Sequence, residues 1–509
     1  MSAVSVAALI ERLAPLAVVG HYRGRSVSSI SDDSRSVAPE GAFVALPGQH
    51  VDGERFLGEA LEAGATVAIT HSAANTTVAA LGGRDACLIR VADPAAALSA
   101  AAALVAGEPS RQLRVVGVTG TAGKSTTCRM IHDLLEAGGT HSGLISTSGV
   151  DTGSGVAPNR IHVTTPPAPL THRLLAEMVA ADLGAAVVEA SSHGLSAQTR
   201  RLDDVAFDAA VVTNVSHDHL EFHGTQEAYL AAKASLVSRL AGGAPAILPT
   251  RLRTTPAFLD AAKAAGVEVS WFGEGGDCQI SDPRFSAAGA EFAIHLDGAS
   301  LTAAAKLHYS FDLENCAAAV LTVARLTGAR WSRIADGIAG LTTPPGRSEE
   351  IAAGQPFRVV VDYAHNPVEM EAVLAAHAVD GGRRIVVLGS AGERDVAKRR
   401  LQGEIADRLA DVVVLTEEDD RDEDAAAIAA DIAAGCAGKV AGETLLLVPD
   451  REEAIGHALD LAAPGDVVLL LGKGHEASII GAGGAERAWD ERAVAERALA
   501  ARGWHGKRR

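Results

Sequence analysis

A glycine-rich segment that ends in a lysine follows an apolar run early in the chain. Residues 117–127 read GVTGTAGKSTT, and the apolar residues after them recur at helical spacing until Gly138 and Gly139. A strand, a glycine loop and a helix in this order are typical of a phosphate-binding loop, because backbone N–H groups and the helix N-terminus surround the phosphate oxygens. The segment therefore predicts a site for a nucleoside triphosphate.

The residues of this loop have distinct expected roles. Lys124 is expected to hold the β- and γ-phosphates, and the hydroxyl of Ser125 or Thr126 is expected to face Mg²⁺. Val118 replaces the first glycine of the usual pattern, and the loop alone leaves a kinase, a transporter ATPase and a ligase open. The backbone that would surround the phosphates belongs to Gly120, Thr121 and Gly123.

Polar residues that suit a metal ion follow two further apolar runs. Residues 187–194 read VVEASSHG and include Glu189, and residues 211–220 read VVTNVSHDHL and include His219. Mg²⁺ prefers oxygen ligands and tolerates some imidazole, so Ser125, Glu189 and His219 are candidate ligands. The alternative is that these are strand-end residues with local hydrogen bonds, but their joint placement favours the metal site.

The composition argues against several classes of function. The 509 residues carry a formal net charge of −18, whereas a nucleic-acid partner requires a concentrated positive field. The five cysteines show no metal-ligand or redox spacing, which indicates reduced, buried thiols. No apolar stretch has the length of a membrane span, and the first residues lack a basic leader. We expect a cytoplasmic monomer that binds no nucleic acid and does not insert into a membrane.

Short β-rich apolar runs alternate with longer stretches rich in Ala and Leu. This alternation predicts an α/β fold with largely parallel sheets. We expect three domains, of which the central one has an ATPase-type parallel sheet with the phosphate loop and the C-terminal one is Rossmann-like. Their expected bounds are residues 1–108, 109–345 and 346–509. Candidate strands are 43–46 and 66–70 in the first domain and 113–118 at the start of the second.

Four apolar runs of the third domain each lead into a polar loop. The runs are residues 359–361, 385–388, 412–415 and 467–471. Ligands of open parallel sheets bind beyond the carboxyl ends of the strands. A single loop of this kind is more often an ordinary turn, but four together favour a binding site.

Further motifs, taken with the phosphate loop, resemble the Mur ligases. The resemblance covers essentially the whole chain and is nearest to the subgroup that adds the third residue of the cell-wall peptide. Its motifs are DSR at 33–35, GQHVDG at 48–53, TTP at 164–166, FHGT at 222–225, YLAAK at 229–233, GR at 346–347, DYAH at 362–365 and WDER at 489–492.

The resemblance implies an activity and its partners. Mur ligases of this subgroup use ATP and Mg²⁺ to join an amino acid to UDP-MurNAc-L-Ala-D-Glu, the UDP-MurNAc-dipeptide, through an acyl phosphate. A carboxylate and a phosphate must then approach each other, which requires concentrated positive charge. Catalytic roles are implied for Lys124, Glu189, His219 and Lys233. The family's lysine at the position of Lys233 is carbamylated, which makes it an anionic metal ligand; without the resemblance, an exposed helix lysine would be expected.

Other site residues are implied in the same way. The residues implied for the precursor are Ser34, Thr164, Thr165, Ser191 and Arg200. Those implied for the nucleotide, besides the phosphate loop, are Asn315, Arg347 and Asp362. Those implied for the incoming amino acid are Arg394, Arg421, Gly472 and Glu476.

The chain departs from the family pattern at several places. Residues 418–421 read EDDR where members that add diaminopimelate have Asp-Asn-Pro-Arg. The added negative charge suits an amine, so a basic amino acid such as diaminopimelate, lysine or ornithine is expected. Either Arg200 or Arg201 can fill the family's precursor arginine, and Asp312 replaces an asparagine of the adenine-side motif.

Four other functions stay open from the sequence. A ligase of the folylpolyglutamate synthase type would lack a domain with the DSR motif, and a catalytically weak cell-wall scaffold would not need Lys124, Glu189, His219 and Lys233 intact. A divergent Mur ligase that acts on a modified precursor fits the departures. An ATPase that drives motion fits least, because no acidic pair follows a strand in the expected manner.

Overall fold

The computed structural model describes residues 3–48, 51–72, 86–159, 161, 163–216, 218–286, 288–328, 331–378 and 381–505. Three open sheets of five, ten and six strands account for most of its strands. Gln49 and His50 of the GQHVDG motif and His217 of the His/Asp cluster lie outside the described residues.

The five-stranded sheet is built from the first part of the chain. Its elements and their neighbours are β1 (Val4–Ser5), α1 (Val6–Leu13), β2 (Ala17–Gly20), β3 (Ser26–Val27), β4 (Ile30–Ser31), β5 (Ala42–Val44), α2 (Leu57–Glu62), β6 (Val67–Thr70), β7 (Cys87–Arg90) and α3 (Pro94–Val105). The strand order is β2-β7-β6-β5-β4, with β2 antiparallel and the other strands parallel. Apolar strand residues pack on Leu98 and Ala101 of α3.

The ten-stranded sheet forms the centre of the molecule. Its elements are β8 (Arg114–Thr119), α4 (Lys124–Ala137), β9 (Ser142–Ser146), β10 (Gly149–Asp151), α5 (Ala168–Ala180), β11 (Ala185–Glu189), α6 (Ser192–Leu195), β12 (Ala209–Val212), α7 (Leu220–His223), α8 (Gln226–Ser238), β13 (Ala246–Pro249), α9 (Pro256–Ala265), β14 (Val269–Phe272), β15 (Cys278–Ser286), β16 (Gly289–Leu296), β17 (Ala299–Ala305), α10 (Ser310–Thr327) and α11 (Trp331–Ile338). The order is β10-β9-β11-β8-β12-β13-β14-β15-β16-β17.

Three neighbouring parallel strands of this sheet end beside one another. β11 and β12 both pair with β8 in parallel, so the segments after Thr119, Glu189 and Val212 leave the same edge. The strands are apolar on both faces because helices cover both sides, as is usual for parallel sheets. The phosphate loop and the two candidate metal-ligand segments are therefore brought together by the sheet itself.

The six-stranded sheet belongs to the last part of the chain. Its elements are β18 (Glu349–Glu350), β19 (Arg358–Asp362), α12 (Pro367–Ala376), β20 (Arg384–Leu388), α13 (Ala397–Leu409), β21 (Val412–Leu415), α14 (Ala425–Ala433), β22 (Leu445–Leu447), α15 (Arg451–Leu461), β23 (Val467–Leu471), β24 (Ser478–Ile480), β25 (Glu486–Ala488) and α16 (Glu491–Ala501). The order is β18-β19-β23-β20-β21-β22, and all but β18 are parallel.

The predicted fold class is confirmed. The four apolar runs of the third domain are the neighbouring strands β19, β23, β20 and β21, so their polar loops leave one edge. The domain bounds near residues 108 and 345 stay predictions. Among the described residues, every helix is too short or too polar to span a bilayer.

A fully buried ion pair fastens the last helix to the C-terminal sheet. Arg451 on α15 donates to both carboxylate oxygens of Glu491 at 2.9 and 2.7 Å, and both side chains are 0% exposed. Arg451 also donates to the carbonyl of Leu471 at 2.7 Å, and the indole N–H of Trp489 donates to Glu491 at 2.6 Å. Removing one charge would leave the other buried without compensation.

We expect Glu491→Gln to lower the free energy of unfolding by about 3–5 kcal/mol, the usual cost of breaking a buried pair on one side. The matched control is Glu452→Gln, because Glu452 pairs with Arg497 on the surface with both side chains more than half exposed. That change should cost less than about 1 kcal/mol. Urea unfolding of both variants checks the prediction, and equal losses would contradict it.

Candidate active site

The phosphate loop is held open by glycines whose neighbours leave no space for a side chain. Gly120 has φ +155°, and a Cβ there would lie 1.9 Å from Thr213 Oγ1. Gly123 has φ +78°, and a Cβ there would lie 2.5 Å from Asn315 Oδ1. Lys124 begins α4 and donates to the carbonyls of Gly120 at 3.2 Å and Thr121 at 2.8 Å. Its ammonium therefore lies over the loop that would hold phosphates.

Glu189 is buried at the end of β11 and receives three hydrogen bonds. The hydroxyl of Ser125 donates to Oε1 at 3.0 Å, and the hydroxyl of Ser146 donates to Oε2 at 2.6 Å. The backbone N–H of Thr147 donates to Oε2 at 2.8 Å. The carboxylate and the Ser125 hydroxyl thus place two adjacent oxygens, of the kind that Mg²⁺ prefers, beside the phosphate loop.

Lys233 lies on the buried side of α8, where its side chain is 1% exposed. Its Nζ donates to the carbonyl of Gly120 at 2.6 Å and lies 4.6 Å from the ring centroid of Tyr229. Burial and the nearby Lys124 ammonium lower the pKa of Lys233 well below its ordinary value. The structure therefore rules out an exposed helix lysine and favours an uncharged, nucleophilic amine.

Histidines and an aspartate surround the opening next to Lys233. His219 has φ +53°, and its ring centroid is 4.8 Å from that of His193 and 6.4 Å from that of Tyr229. Its Nε2 lies 3.6 Å from a carboxylate oxygen of Asp218. His193 and Asp218 were not chosen from the sequence, although both stand inside the motifs that contain Glu189 and His219.

A first cavity of about 350 Å³ joins these groups to the predicted precursor residues. The hydroxyl of Thr165 donates to the carbonyl of Glu189 at 2.8 Å and accepts from the N–H of Ser191 at 2.9 Å. These two hydrogen bonds hold Thr165 against the segment that follows β11, in the wall of the cavity. The predicted residues that line it are Gly120, Thr121, Lys124, Thr164, Thr165, Ser191, His219, Lys233, Arg394 and Glu476. Ser34 lies in the first domain, outside the described lining of this cavity.

The structure brings Arg201, and not the predicted Arg200, to this cavity. Arg201 lines it and donates to the carbonyl of Thr165 at 2.6 Å. Arg200 has φ +48° and turns its guanidinium to Asp203 and Asp93, each at 2.8 Å. The left-handed residue reverses the direction of the chain, so the second of the two arginines faces inward.

A second cavity of about 320 Å³ opens from the phosphate loop between the central and C-terminal sheets. Arg347 stacks on the ring of Tyr363 at 4.6 Å and points one nitrogen at Ser125 Oγ, 3.4 Å away. Asp362 ends β19 and accepts from Ser348 and Ala364. The predicted nucleotide residues in its wall are Gly123, Thr126, Asn315, Arg347 and Asp362.

A third cavity of about 700 Å³ lies against the C-terminal sheet. Arg394, Arg421, Gly472 and Glu476, all predicted for the amino acid, line it. Lys473, which was not predicted as a site residue, adds a buried positive charge beside this cavity. Its Nζ pairs with Asp419 at 2.9 Å and with Glu476 at 2.6 Å.

Glu418 is an acid of this cavity whose carboxylate makes no ion pair among the described residues. It is 6% exposed, and its Oε2 has no hydrogen-bond partner among the described residues. A Cβ at Gly472, where φ is +102°, would lie 2.6 Å from that oxygen, so only glycine leaves the carboxylate accessible. Burial raises the pKa of Glu418, a cost that a cation in the cavity would offset.

Three family models together match most of the chain. The Mur ligase family catalytic domain matches residues 26–115, the Mur ligase middle domain matches 118–323, and the Mur ligase glutamate ligase domain matches 346–474. The chain belongs to the Mur ligase family. As a Mur ligase it is an ATP-dependent, ADP-forming ligase of peptidoglycan synthesis, which confirms the predicted enzyme class.

Individual relatives agree with this family. The UDP-N-acetylmuramyl-tripeptide synthetase of Roseiflexus sp. (strain RS-1) is 42% identical over 94% of this chain and 96% of its own length. A solved UDP-N-acetylmuramoyl-L-alanyl-D-glutamate–2,6-diaminopimelate ligase is 28% identical and covers 99% of this chain and 100% of its own, with a TM-score of 0.64.

The folylpolyglutamate synthase type shares only part of this fold. The Mycobacterium tuberculosis folylpolyglutamate synthase in complex with ADP and AMPPCP covers 74% of this Mur ligase and 91% of its own length. It is 20% identical, with a TM-score of 0.61.

We expect Lys124→Ala to lower the turnover of ATP by roughly 10²- to 10³-fold, because a positioned cation is lost from the place where charge develops. The hydrogen bonds of Lys124 go to carbonyls of the phosphate loop, and the UDP part is expected on the first domain, so binding of the UDP-linked precursor should change little. ADP release and calorimetric titration with the precursor measure the two quantities. Near-normal turnover in this variant would contradict the role of the loop.

Proposed function

We propose that this Mur ligase adds a basic amino acid to UDP-MurNAc-L-Ala-D-Glu through an acyl phosphate. The observation that supports this most is the arrangement of three cavities. The first, with hydroxyls and Arg201, and the second, beside Asn315, both open at the phosphate loop, and the third, with Glu418 and Arg421, shares wall residues with the first. They suit a peptide carboxylate, a nucleotide and an amino acid. We also propose that the enzyme is a cytoplasmic monomer and that the first domain, with Ser34, holds the UDP part.

The charge pattern of the first cavity supports the first half of the reaction. The peptide carboxylate would lie beside Thr164, Ser191 and Arg201. The guanidinium can neutralise its charge, and the hydroxyls can donate hydrogen bonds to it. Lys124 and the backbone N–H groups of the loop would hold the phosphate that it attacks. Transfer of the γ-phosphate to a carboxylate oxygen would release ADP and leave a mixed anhydride for the amine.

The residues beside the phosphate loop fit a magnesium ion, provided that Lys233 does not carry a positive charge. Glu189 and the Ser125 hydroxyl supply oxygens, and His219 supplies an imidazole at the mouth of the cavity. Mg²⁺ would neutralise charge on the phosphate oxygens. An ammonium at Lys233 would repel it, whereas a carbamate would supply two further oxygens. Burial lowers the pKa of Lys233 and so favours its uncharged amine, which is the form of an amine that reacts with CO₂.

The second half of the reaction is assigned to the third cavity. Arg394 and Arg421 follow strand ends of the C-terminal sheet, and a guanidinium matches a carboxylate in a bidentate manner. Since Asp419 and Glu476 already pair with Lys473, Glu418 is the carboxylate that would accept a distal amine. A substrate with a carboxylate at one end and a second amine at the other fits this arrangement.

ADP release on UDP-MurNAc-L-Ala-D-Glu with a panel of amino acids tests the proposal. Diaminopimelate, lysine and ornithine should support turnover, while alanine and glutamate should not. Turnover with neutral or acidic amino acids alone would contradict the basic substrate. If no amino acid is accepted, the precursor assignment fails, and a modified precursor is the alternative.

We expect Lys233→Ala to be nearly inactive and to regain part of its activity with a small added carboxylate or in Lys233→Glu, because both restore an anion. A ¹³C-bicarbonate NMR signal that disappears in Lys233→Ala checks the carbamate. Lys263→Ala is the control, since Lys263 is an exposed lysine on α9. An active parent enzyme that gives no carbamate signal with saturating ¹³C-bicarbonate would contradict the carbamate.

We expect Arg421→Ala to raise the KM for the amino acid roughly tenfold to a hundredfold, which corresponds to about 1.5–3 kcal/mol for a hydrogen bond to a charged group. The KM values for ATP and the precursor should stay within a factor of about two. Arg400→Ala is the matched control, because that arginine is 72% exposed and pairs with Glu404. A change in the KM for ATP alone would contradict the placement of the amino acid.

A further inference from the structure

Two consecutive arginines point in opposite directions at the wall of the first cavity. Arg201 lines the cavity and donates to the carbonyl of Thr165 at 2.6 Å, whereas Arg200 turns toward acidic side chains. This division depends on the backbone of Arg200, whose φ of +48° lies in the left-handed region. A residue with a Cβ adopts that conformation only at a cost, so other contacts must stabilise it.

Asp93 supplies one of these contacts from a distant part of the chain. It is the N-cap of α3, which packs on the five-stranded sheet, and its Oδ1 accepts from the N–H of Ala96 at 3.0 Å. Its other oxygen, Oδ2, lies 2.8 Å from Nε of Arg200. One carboxylate therefore both begins α3 and pairs with an arginine beside the central sheet.

A second acid holds the other side of the Arg200 guanidinium. Asp203 Oδ2 accepts from Nη1 of Arg200 at 2.8 Å, and Asp203 Oδ1 accepts from Nη2 of Arg239 at 2.6 Å. Arg239 is the C-cap of α8, the helix that carries Lys233. Four alternating charges thus run from Asp93 to the end of α8, and Arg200 lies between the two acids.

Further contacts fasten the same segment to helices of the five-stranded sheet. The N–H of Asp204 donates at 3.1 Å to the hydroxyl of Ser99, a residue of α3 that is 0% exposed. Arg12 of α1 donates to the carboxylate of Asp204 at 2.6 Å. The segment from Arg200 to Asp204 is therefore held at its first and last residues by helices that belong to another sheet.

Of the two acids around Arg200, Asp93 is the one that can anchor the turn. Asp203 lies only three residues further along the chain, so it can move together with Arg200. Asp93 is fixed by its hydrogen bond to α3. The inward position of Arg201 needs such an anchor, because burial disfavours the charged guanidinium and lowers the pKa of Arg201.

We propose that Asp93 is a positioning residue for the peptide carboxylate, which acts by holding Arg200 in the left-handed turn that directs Arg201 into the first cavity. This inference rests on the proposed function, in which Arg201 faces that carboxylate. It gives the N-terminal part of the chain a second task besides the UDP part. Helix α3 contributes to the reaction through a side chain that touches no substrate.

Asp93→Asn tests the inference with little disturbance of α3, because asparagine caps a helix about as well as aspartate. The affinity for UDP-MurNAc-L-Ala-D-Glu should fall roughly tenfold, as expected when a hydrogen bond to a charged group is weakened. The affinity for UDP-N-acetylglucosamine, which has no carboxylate, should change by less than a factor of about two. The Tm should change little, because the Asp93–Arg200 pair is partly exposed.

A double-mutant cycle shows whether Asp93 acts through Arg201. Arg201→Ala should weaken precursor binding more than Asp93→Asn does, and Asp93→Asn should cause no further loss in the Arg201→Ala background. Arg200→Gly gives a second background, because glycine adopts the left-handed conformation without support from ion pairs. Asp93→Asn should be without effect there as well. Calorimetric titration with the precursor measures each affinity.

Arg12→Gln is the matched control. It breaks the neighbouring ion pair between the same helices and the same segment, at Asp204, and leaves Arg200 untouched. The affinity for the precursor should stay within a factor of about two of the parent value, since a partly exposed pair contributes little by itself. A loss equal to that of Asp93→Asn would mean that any weakening of this contact has the same effect, which would overturn the specific role of Asp93.

An unchanged affinity for the precursor in Asp93→Asn would also overturn the inference. So would an equal loss of affinity for UDP-N-acetylglucosamine, or a loss that persists in the Arg201→Ala background, because neither would depend on Arg201. If Arg201→Ala bound the precursor normally, the proposed place of the peptide carboxylate would fail together with the inference. Weak binding in Arg201→Ala with normal binding in Asp93→Asn would overturn the role of Asp93 alone.

Discussion

A carboxylate and a phosphate repel each other, and the architecture of this Mur ligase follows from the need to hold them in contact. Positive charge must be concentrated where they meet, and water must be kept away. Parallel strands meet this need, because their carboxyl ends and the helix N-termini after them lie along one edge of a sheet. Here two such edges, one central and one C-terminal, face the same space.

The contacts between the two sheets make one site from two halves. His475 after β23 donates to the carbonyl of Thr147 at 2.8 Å, and Arg347 reaches the Ser125 hydroxyl. These contacts place C-terminal residues over the phosphate loop, so that an amine held by one sheet would meet an acyl group held by the other. The buried charges of Glu189 and Lys473 are costly in such a position, and large apolar cores offset that cost.

Much of this arrangement could be predicted from local sequence. The phosphate loop, Glu189 and the four strand-end loops depend on residues that are close together in the chain, and a parallel sheet then brings their ends together. The fold class followed from the alternation of apolar runs, since each run was long enough for a strand and was followed by a helix.

Three features of the site could not be predicted, because they depend on the local backbone conformation or on contacts between residues that are far apart in the chain. Arg201 faces the cavity because Arg200 adopts a left-handed conformation, which two consecutive arginines do not reveal. Lys473 pairs with both Asp419 and Glu476, which the sequence did not reveal, and Glu418 has a buried carboxylate oxygen without a hydrogen-bond partner among the described residues. The burial of Lys233 required the packing of α8 against the central sheet.

The central claim is that ATP phosphorylates the peptide carboxylate before the amine attacks. A precursor labelled with ¹⁸O in that carboxylate tests this directly. If the acyl phosphate forms, one labelled oxygen leaves with the phosphate when the amide bond is made, and mass spectrometry of the released phosphate should find one ¹⁸O per turnover. Phosphate that carries no label, with amide formation at a normal rate, would contradict the account.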